Sequence, residues 1–391
     1  MSVLLVMVVV VVGAAACAGS EPASSTSSAD AESTTSEVPS TTTSAPASTT
    51  TIGQPPTVDE VLAQAVESVI LPDGSGSALV AIVARDGTVD FAARGETPSG
   101  TVLTPEDFFR AGSITKTLTA AAVMTLVDDG LVELDSAASN YVARVPVDGG
   151  VMVRDLLQHT SGIPDYTQSD EFFGEVYGDT SRVWTPEEIT ALVAGRSDFD
   201  PGSAWEYSNT NYVILGTLVE EITGRSFHEV LRESVLVPSD GADNYVAHFE
   251  AGTEPASSYT VRVRSTPVDF DFTSIATAAW ASGASVANVE QLAASLGSIF
   301  GGEIIGTKTL EAMTEPVPWE TTFYGLPAAY GLGVFRLSET QFAHDGAIPG
   351  FLTAYAHDTS TGATAIWVVT NDGATIPRPS FAAVLAQLSS D

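Results

Sequence analysis

The strand-forming segments of this chain lie near its two ends, and a block of helical segments keeps them apart. β-rich runs occupy 78–84 and 88–93, joined by Arg85-Asp86-Gly87 with its Asp-Gly hairpin signal. Strand pattern returns only at 331–337, 351–357 and 363–370. Between them, helical periodicity runs through 114–128, 151–158, 185–194, 211–223 and 227–236, and a further helix lies near 288–300. Helices are also expected at 58–69, where Val58, Val61, Leu62, Ala65, Val66 and Val69 share a face, and near 379–389. A sheet split in this way is buried by grouping helices on its faces. The expected fold class is therefore α+β: an antiparallel sheet flanked by helices, with an all-helical lobe inserted. No internal repeat is visible.

Residues 3–12 are uninterrupted apolar and are followed by Gly13, Ala14, Ala15, Ala16 and Cys17, the only cysteine. An apolar core this short suits a secretory signal better than a membrane span. The small residues before Cys17 resemble a bacterial lipoprotein processing site, so 1–17 is expected to be a signal peptide and Cys17 a lipidated N-terminus. No Lys or Arg precedes the apolar run, which departs from the usual signal pattern and leaves an uncleaved anchor as the alternative. Either way the rest of the chain is expected outside the cytoplasm, secreted or held on the outer face of the membrane. Residues 18–57 are dominated by Ser, Thr, Ala and Pro and have little to bury, so they are expected to form a disordered tether. A single cysteine allows no internal disulfide, and the domain from 58 to 391 must be held by its core.

Charge excludes some partners. The net charge is −34; Glu21, Asp30, Glu32 and Glu37 carry −4 of it, leaving −30 on the remainder. Such a field argues against nucleic acid, whose phosphates need Lys and Arg. It equally disfavours adsorption to anionic lipid, so membrane contact is expected only through the N-terminal anchor.

Only two lysines occur, and one of them, Lys116, stands three residues after Ser113 at the start of an apolar helical stretch. A serine hydroxyl is a poor nucleophile until a neighbouring base takes its proton. The i to i+3 spacing places both side chains on one helix face, within reach of each other. Downstream, Tyr207-Ser208-Asn209 sits before the helix at 211–223 and offers a phenol and an amide two residues apart. His344-Asp345-Gly346-Ala347 follows the short run Gln341-Phe342-Ala343, and Gly346 there would let a substrate approach the strand edge. Gly283-Ala284-Ser285-Val286-Ala287 nearly matches a Gly-x-Ser-x-Gly elbow but follows no clear strand, and is expected to be a loop. His159 is expected to be a structural loop residue, and Lys308 to open a surface helix. His228, His248 and His357 lack metal-ligand spacing, so neither a metal nor another cofactor is called for.

Together, Phe-Arg-Ala-Gly-Ser113-Ile-Thr-Lys116, Leu-Leu-Gln-His159-Thr-Ser-Gly-Ile-Pro, Tyr207-Ser-Asn209-Thr-Asn-Tyr and His344-Asp-Gly-Ala-Ile-Pro-Gly resemble the penicillin-recognising serine hydrolases. The nearest groups are class C β-lactamases, secreted D-Ala-D-Ala carboxypeptidases and related esterases. The resemblance covers about 60–390 and implies a β-lactamase/transpeptidase-like fold. It implies an α/β lobe of about 58–110 and 275–391, a helical lobe of about 111–274, and a cleft between them. It also implies that Ser113 is acylated, with Lys116 or Tyr207 as base. Asn209 would then bind a substrate amide, and the backbone N–H groups of Ser113 and Ala347 would form the oxyanion hole. Two roles are open to His344: orienting Tyr207 or binding a substrate anion.

Asp345 and Ala347 depart from the family by standing where hydroxyls commonly help to hold a substrate carboxylate. An ionised Asp345 pointing into the cleft would repel that carboxylate, an objection that disappears if its side chain points out of the cleft. The expected function is an extracytoplasmic D-alanyl-D-alanine carboxypeptidase-like hydrolase acting on peptidoglycan peptides or small acyl substrates, with β-lactams as possible acylating ligands. The alternatives are an esterase or weak β-lactamase of the same fold, and a non-catalytic wall-binding relative.

Overall fold

The computed structural model describes residues 56–389 except 251, 253–254, 257, 261–265 and 268–270. The expected signal peptide, Cys17 and nearly all of the expected tether lie outside the described residues. The described chain opens with helix α1 (Val58–Ser68) and the hairpin β1 (Gly76–Val83) to β2 (Val89–Glu96). Strand β3 (Phe109–Arg110) and a 3₁₀ turn (Gly112–Ile114) lead into α2 (Thr115–Asp128), α3 (Val153–Leu157), α4 (Asp170–Gly178), α5 (Pro186–Ala191), α6 (Asn209–Thr223) and α7 (Phe227–Leu231). Then come β4 (Tyr245–Val246), β5 (Tyr259–Thr260), β6 (Thr266–Pro267), α8 (Thr273–Gly283), β7 (Ser285–Ala287), α9 (Val289–Phe300) and α10 (Thr307–Thr314). The chain closes with β8 (Glu320–Phe323), β9 (Leu326–Tyr330), β10 (Phe335–Arg336), β11 (Gln341–Ile348), β12 (Phe351–Asp358), β13 (Ala363–Val369) and α11 (Arg378–Leu388).

The main sheet has the order β2-β1-β13-β12-β11-β10-β9-β8 and is antiparallel at every pairing. Strand β1 therefore pairs with β13 from the far end of the chain, Ala78 opposite Val369. Both faces are covered, which is why β1 is buried at every position. Ala78, Val80 and Ile82 pack with α1 and α11 around Trp367 and Phe381. The alternate residues Leu79, Ala81 and Val83 join the core that runs on into the helices. In that second core, α2 is buried on nearly every side, as a helix at the centre of a helical block is, and its buried threonines and Lys116 find hydrogen-bond partners there. Among the described residues no helix is long and apolar enough to cross a membrane.

Two expectations change. Ser285–Ala287, read from sequence as part of a loop, is the central strand of a small sheet between β3 and β4, because its backbone is needed to anchor the segment before Ser113. The run expected to stop at Ala343 continues as a strand to Ile348, held along its length by β12. On its other side β10 reaches only Phe342 and Ala343, so the edge of β11 beyond them has no strand neighbour.

Candidate active site

The residues before α2 are tied down from two sides. The Ala111 N–H donates to the Ser285 carbonyl at 2.9 Å. The Thr115 hydroxyl donates to the Gly112 carbonyl at 2.7 Å and accepts from the Ser285 N–H at 3.0 Å. On the other side the turn presses against β11. Gly112 has φ +55°, and a Cβ there would lie 3.1 Å from the Ala347 nitrogen. A Cβ on Gly346 would strike the Ala111 carbonyl and come within 2.7 Å of the Thr353 hydroxyl and 2.9 Å of the Ser113 nitrogen. The space at Gly346 is thus filled by the chain itself. This corrects its expected role: Gly346 admits the turn that carries Ser113, not a substrate. The same approach sets the amides of Ser113 and Ala347 beside one narrow opening.

Lys116 is completely buried, one turn along from Ser113. Its Nζ lies 3.0 Å from Ser113 Oγ, 2.7 Å from Asn209 Oδ1 and 2.7 Å from the Ser282 carbonyl. Burial lowers its pKa to about 7, against the pull of Asp165 and Asp345. A neutral amine has two N–H bonds and one lone pair. With both carbonyl oxygens taking an N–H, the lone pair is left for the Ser113 hydroxyl.

Tyr207 lies over this group, its ring centre 4.9 Å from Lys116 Nζ. Desolvation raises its phenol well above the usual value, although a hydrogen bond with Ser113 favours the ionised form. Beneath it the His159 ring sits 4.3 Å away, fully buried at φ +63°. His159 Nδ1 accepts the Ser208 N–H at 3.1 Å, and burial keeps the ring neutral. The imidazole fixes the loop that carries Tyr207.

Two other expected substrate contacts are engaged within the protein. The Asn209 oxygen takes Lys116 and its Nδ2 donates to both oxygens of buried Asp165 at 2.9 and 3.2 Å, while the residue still lines the cleft beside Ser113. His344 is wholly buried, with Nε2 2.9 Å from the Tyr330 hydroxyl and Nδ1 2.7 Å from the Asp345 carbonyl. The carbonyl can only accept, so Nδ1 carries the proton and Nε2 accepts from Tyr330. Burial lowers the His344 pKa to about 3. A neutral ring turned into the core cannot bind an anion, and Tyr330, not Tyr207, takes its hydrogen bond.

Asp345 is the group that opens outward, with 31% of its side chain exposed. Desolvation raises its pKa to about 6, so it is charged above neutrality. Next to Ser113 the cleft wall is aromatic and aliphatic: Tyr166, Phe172, Phe173, Val176 and Tyr177 face Ile275 and Ala279, with Ala347, Ile348 and Pro349 at the strand edge. Among the described residues no Arg or Lys side chain lines it. Among the described residues no group of His, Cys, Asp or Glu could hold a metal.

Two participants carry no sequence signal. Ser282 contributes only a backbone carbonyl. Asp165 follows Gly162-Ile163-Pro164 as an ordinary loop acid, and only the fold shows it buried.

The family described as Beta-lactamase matches residues 58–388. Among curated proteins, the chain is 29% identical over 160 residues to Penicillin-binding protein 4* of Bacillus subtilis (strain 168), covering 40% of this chain and 34% of that protein. It is 33% identical over 172 residues to Penicillin-binding protein 4 of Amycolatopsis lactamdurans, covering 42% of each. The matches thus span well under half the length of these relatives. Among solved structures, a D-stereospecific amidohydrolase from Streptomyces sp. is 27% identical with a TM-score of 0.71, over 85% of this chain and 98% of that one. D-amino acid amidase from Ochrobactrum anthropi SV3, complexed with L-phenylalanine amide, shares the fold at 24% identity and a TM-score of 0.69, over 83% and 95%.

Proposed function

Because this chain belongs to the beta-lactamase family and is a serine hydrolase, we propose that Ser113 is its nucleophile and that its substrates are amides or esters with an apolar acyl side chain and no carboxylate on the leaving group. The observation that carries this reading is Asp345, a carboxyl on β11 with 31% of its side chain exposed, two residues from Ala347 at the edge of a cleft whose described lining holds no Arg or Lys. A D-alanyl-D-alanine terminus would bring a second negative charge to that place. Mild acid does not relieve the conflict. Asp345 is neutral below about 6 and Lys116 is neutral above about 7, so the two conditions scarcely overlap. The carboxypeptidase expected from sequence is therefore the second reading, supported by the penicillin-binding proteins among the relatives. Similarity to the D-stereospecific amidohydrolase from Streptomyces supports amide hydrolysis with D-stereospecificity as the reaction class.

The chemistry follows from the hydrogen bonds. The lone pair of neutral Lys116 takes the Ser113 proton as Oγ attacks the carbonyl carbon. The charge that develops on the carbonyl oxygen is met by the N–H groups of Ser113 and Ala347, near the positive end of α2. Tyr207 keeps its proton at neutral pH, which makes it the donor to the leaving group, and the Lys116 ammonium then resupplies it. Water cleaves the acyl-enzyme by the reverse path. Lys116, not Tyr207, is the base in this scheme, since desolvation eases deprotonation of one and hinders that of the other.

The test compares D-phenylalaninamide with D-phenylalanyl-D-alanine at pH 8. Wild type should prefer the amide, and Asp345→Asn should narrow that preference about tenfold. That corresponds to about 1.4 kcal/mol, a modest share of what two charges feel a few ångströms apart near a protein surface. A wild-type preference for the dipeptide, unmoved by the substitution, would reject the reading.

The location is proposed from residues 1–17: the protein is lipid-anchored through Cys17 outside the cytoplasm. Labelling of bacterial cultures with radioactive palmitate should mark the wild-type chain and not Cys17→Ser; equal labelling of both would rule the anchor out.

A further inference from the structure

We infer that Asp165 is a positioning residue for Lys116, acting through Asn209: it holds the Asn209 amide so that the oxygen faces Lys116 and the amine lone pair is left aimed at Ser113. The inference rests on the reading of Lys116 as the base for Ser113. The observations that carry it are all side-chain geometry. Asp165 is buried in the loop ahead of the turn Tyr166–Gln168. It accepts the Asn209 Nδ2 on both oxygens, the Thr167 N–H at 3.1 Å and the Thr167 hydroxyl at 2.8 Å. These partners present only hydrogens to it, the surroundings of an ionised carboxylate, although burial itself pushes its pKa up.

An amide has two unlike ends, and here each has a neighbour that rejects the other end. Turned over, the Asn209 oxygen would face the Asp165 carboxylate and its NH₂ would face the donors of Lys116. Asp165 thus selects the orientation in which Oδ1 accepts from Nζ at 2.7 Å. Without it, only the Thr167 hydroxyl, 3.4 Å from Nδ2 and able to donate as well as accept, remains on that side, so no charge opposes rotation and the second N–H of the amine loses its fixed acceptor. The lone pair is then free to turn away from Ser113 Oγ.

Asp165 also caps the turn at Tyr166, so a purely structural role must be separated from the positioning one. Asp165→Asn does this. Asparagine keeps an oxygen for the Thr167 N–H and is a good capping residue, but it offers Asn209 an NH₂ where a second acceptor stood. The groups facing Lys116 are Asp165, Asp345 on β11, Tyr207 ahead of α6 and Tyr212 on α6, with His159 and His344 both neutral through burial. Only Asp165 changes in this variant.

The measurement is the pH profile of Ser113 acylation, followed as the burst with an activated ester, in wild type, Asp165→Asn, Asn209→Ala and the double variant. Acylation by Asp165→Asn should fall about 10- to 100-fold, in the range typical of residues that orient a reacting group from behind. The midpoint of its acid limb should move to lower pH, because a negative charge that favours the ammonium has gone. Above the acid limb, where Lys116 is neutral in every variant, the double variant should acylate at the rate of Asn209→Ala alone. A rate that falls by one factor at every pH, with the limb unmoved, means a structural role only and overturns the inference. So do additive effects in the double variant above the limb. A wild-type profile without a limb near pH 7 would instead reject Lys116 as the base, so the two failures are distinguishable.

Discussion

Ser113→Ala should fold as the wild type does and yet lose on the order of 10⁶-fold in turnover, since the nucleophile itself is removed. The folding half of this expectation follows from what the hydroxyl touches. Ser113 is only partly buried, and its Oγ bonds to Lys116 and Tyr207. Losing one such hydrogen bond costs about 1 kcal/mol, small beside the stability of a domain. The turn itself is held by Thr115, Ser285, Gly112 and Gly346, none of which is altered. The check is intact mass after incubation with an activated ester or a β-lactam. Wild type should gain the acyl group and the variant should not. Ester turnover that survives in the variant would mean that the chemistry lies elsewhere.

Lys116→Met should cost about 10²- to 10⁴-fold in acylation, the usual contribution of a positioned base, and should also change how stability depends on pH. In the folded protein Lys116 loses its proton near pH 7; in the unfolded chain it does so near 10.5. Below 7 both states carry the proton, and the folded state bears the whole cost of a buried charge. Between the two values only the unfolded chain carries it, so wild-type stability rises with pH. Above 10.5 neither does, and the cost has gone. Over the whole window the group accounts for about 5 kcal/mol. The Tyr207 phenol, raised by burial, acts in the opposite sense only where unfolded phenols ionise, near pH 10 and above. Urea unfolding at pH 7 and at pH 9.5 should therefore show wild type gaining several kcal/mol on the variant. Equal slopes for the two proteins would mean that the lysine is not held neutral by its burial.

What could be read from the sequence depended on whether the information lay in side-chain identity or in backbone direction. The hairpin at Asp86-Gly87 and the strands near both ends were legible because their residues alternate or run apolar between clear turns. Helix α8 was not. It is apolar on nearly every side, so no polar face betrays a helical period. The hairpin β8–β9 was hidden by Pro327 and the pair Ala328-Ala329, tolerable in a short strand pair at the sheet edge. At the site, Ser113, Lys116, Tyr207 and Asn209 stood out by spacing, and the fold brings the four together. His344 shows the limit. Adjacent strand residues point to opposite faces, and nothing in His-Asp-Gly-Ala says which of the first two looks outward. The structure turns the histidine inward and the aspartate out, which moves the substrate reading away from a carboxylate.

The pairing of β1 with β13 governs when the protein can exist at all. Ser77 bonds Thr370 across 293 residues of chain, at the junction where the N-terminal hairpin joins the C-terminal strands of the sheet. The entropy of closing so large a loop must be met before the sheet's apolar faces can be covered, which makes folding slow and late. A chain emerging from the ribosome has made its nucleophile, its base and its phenol long before it can seat any of them. The amides of Ser113 and Ala347 meet only when the last strands arrive to carry β11 against the turn. Catalytic competence thus waits on β13, and a chain cut before it would hold Ser113, Lys116, Tyr207 and β11 without the strand that joins β1 to the rest of the sheet.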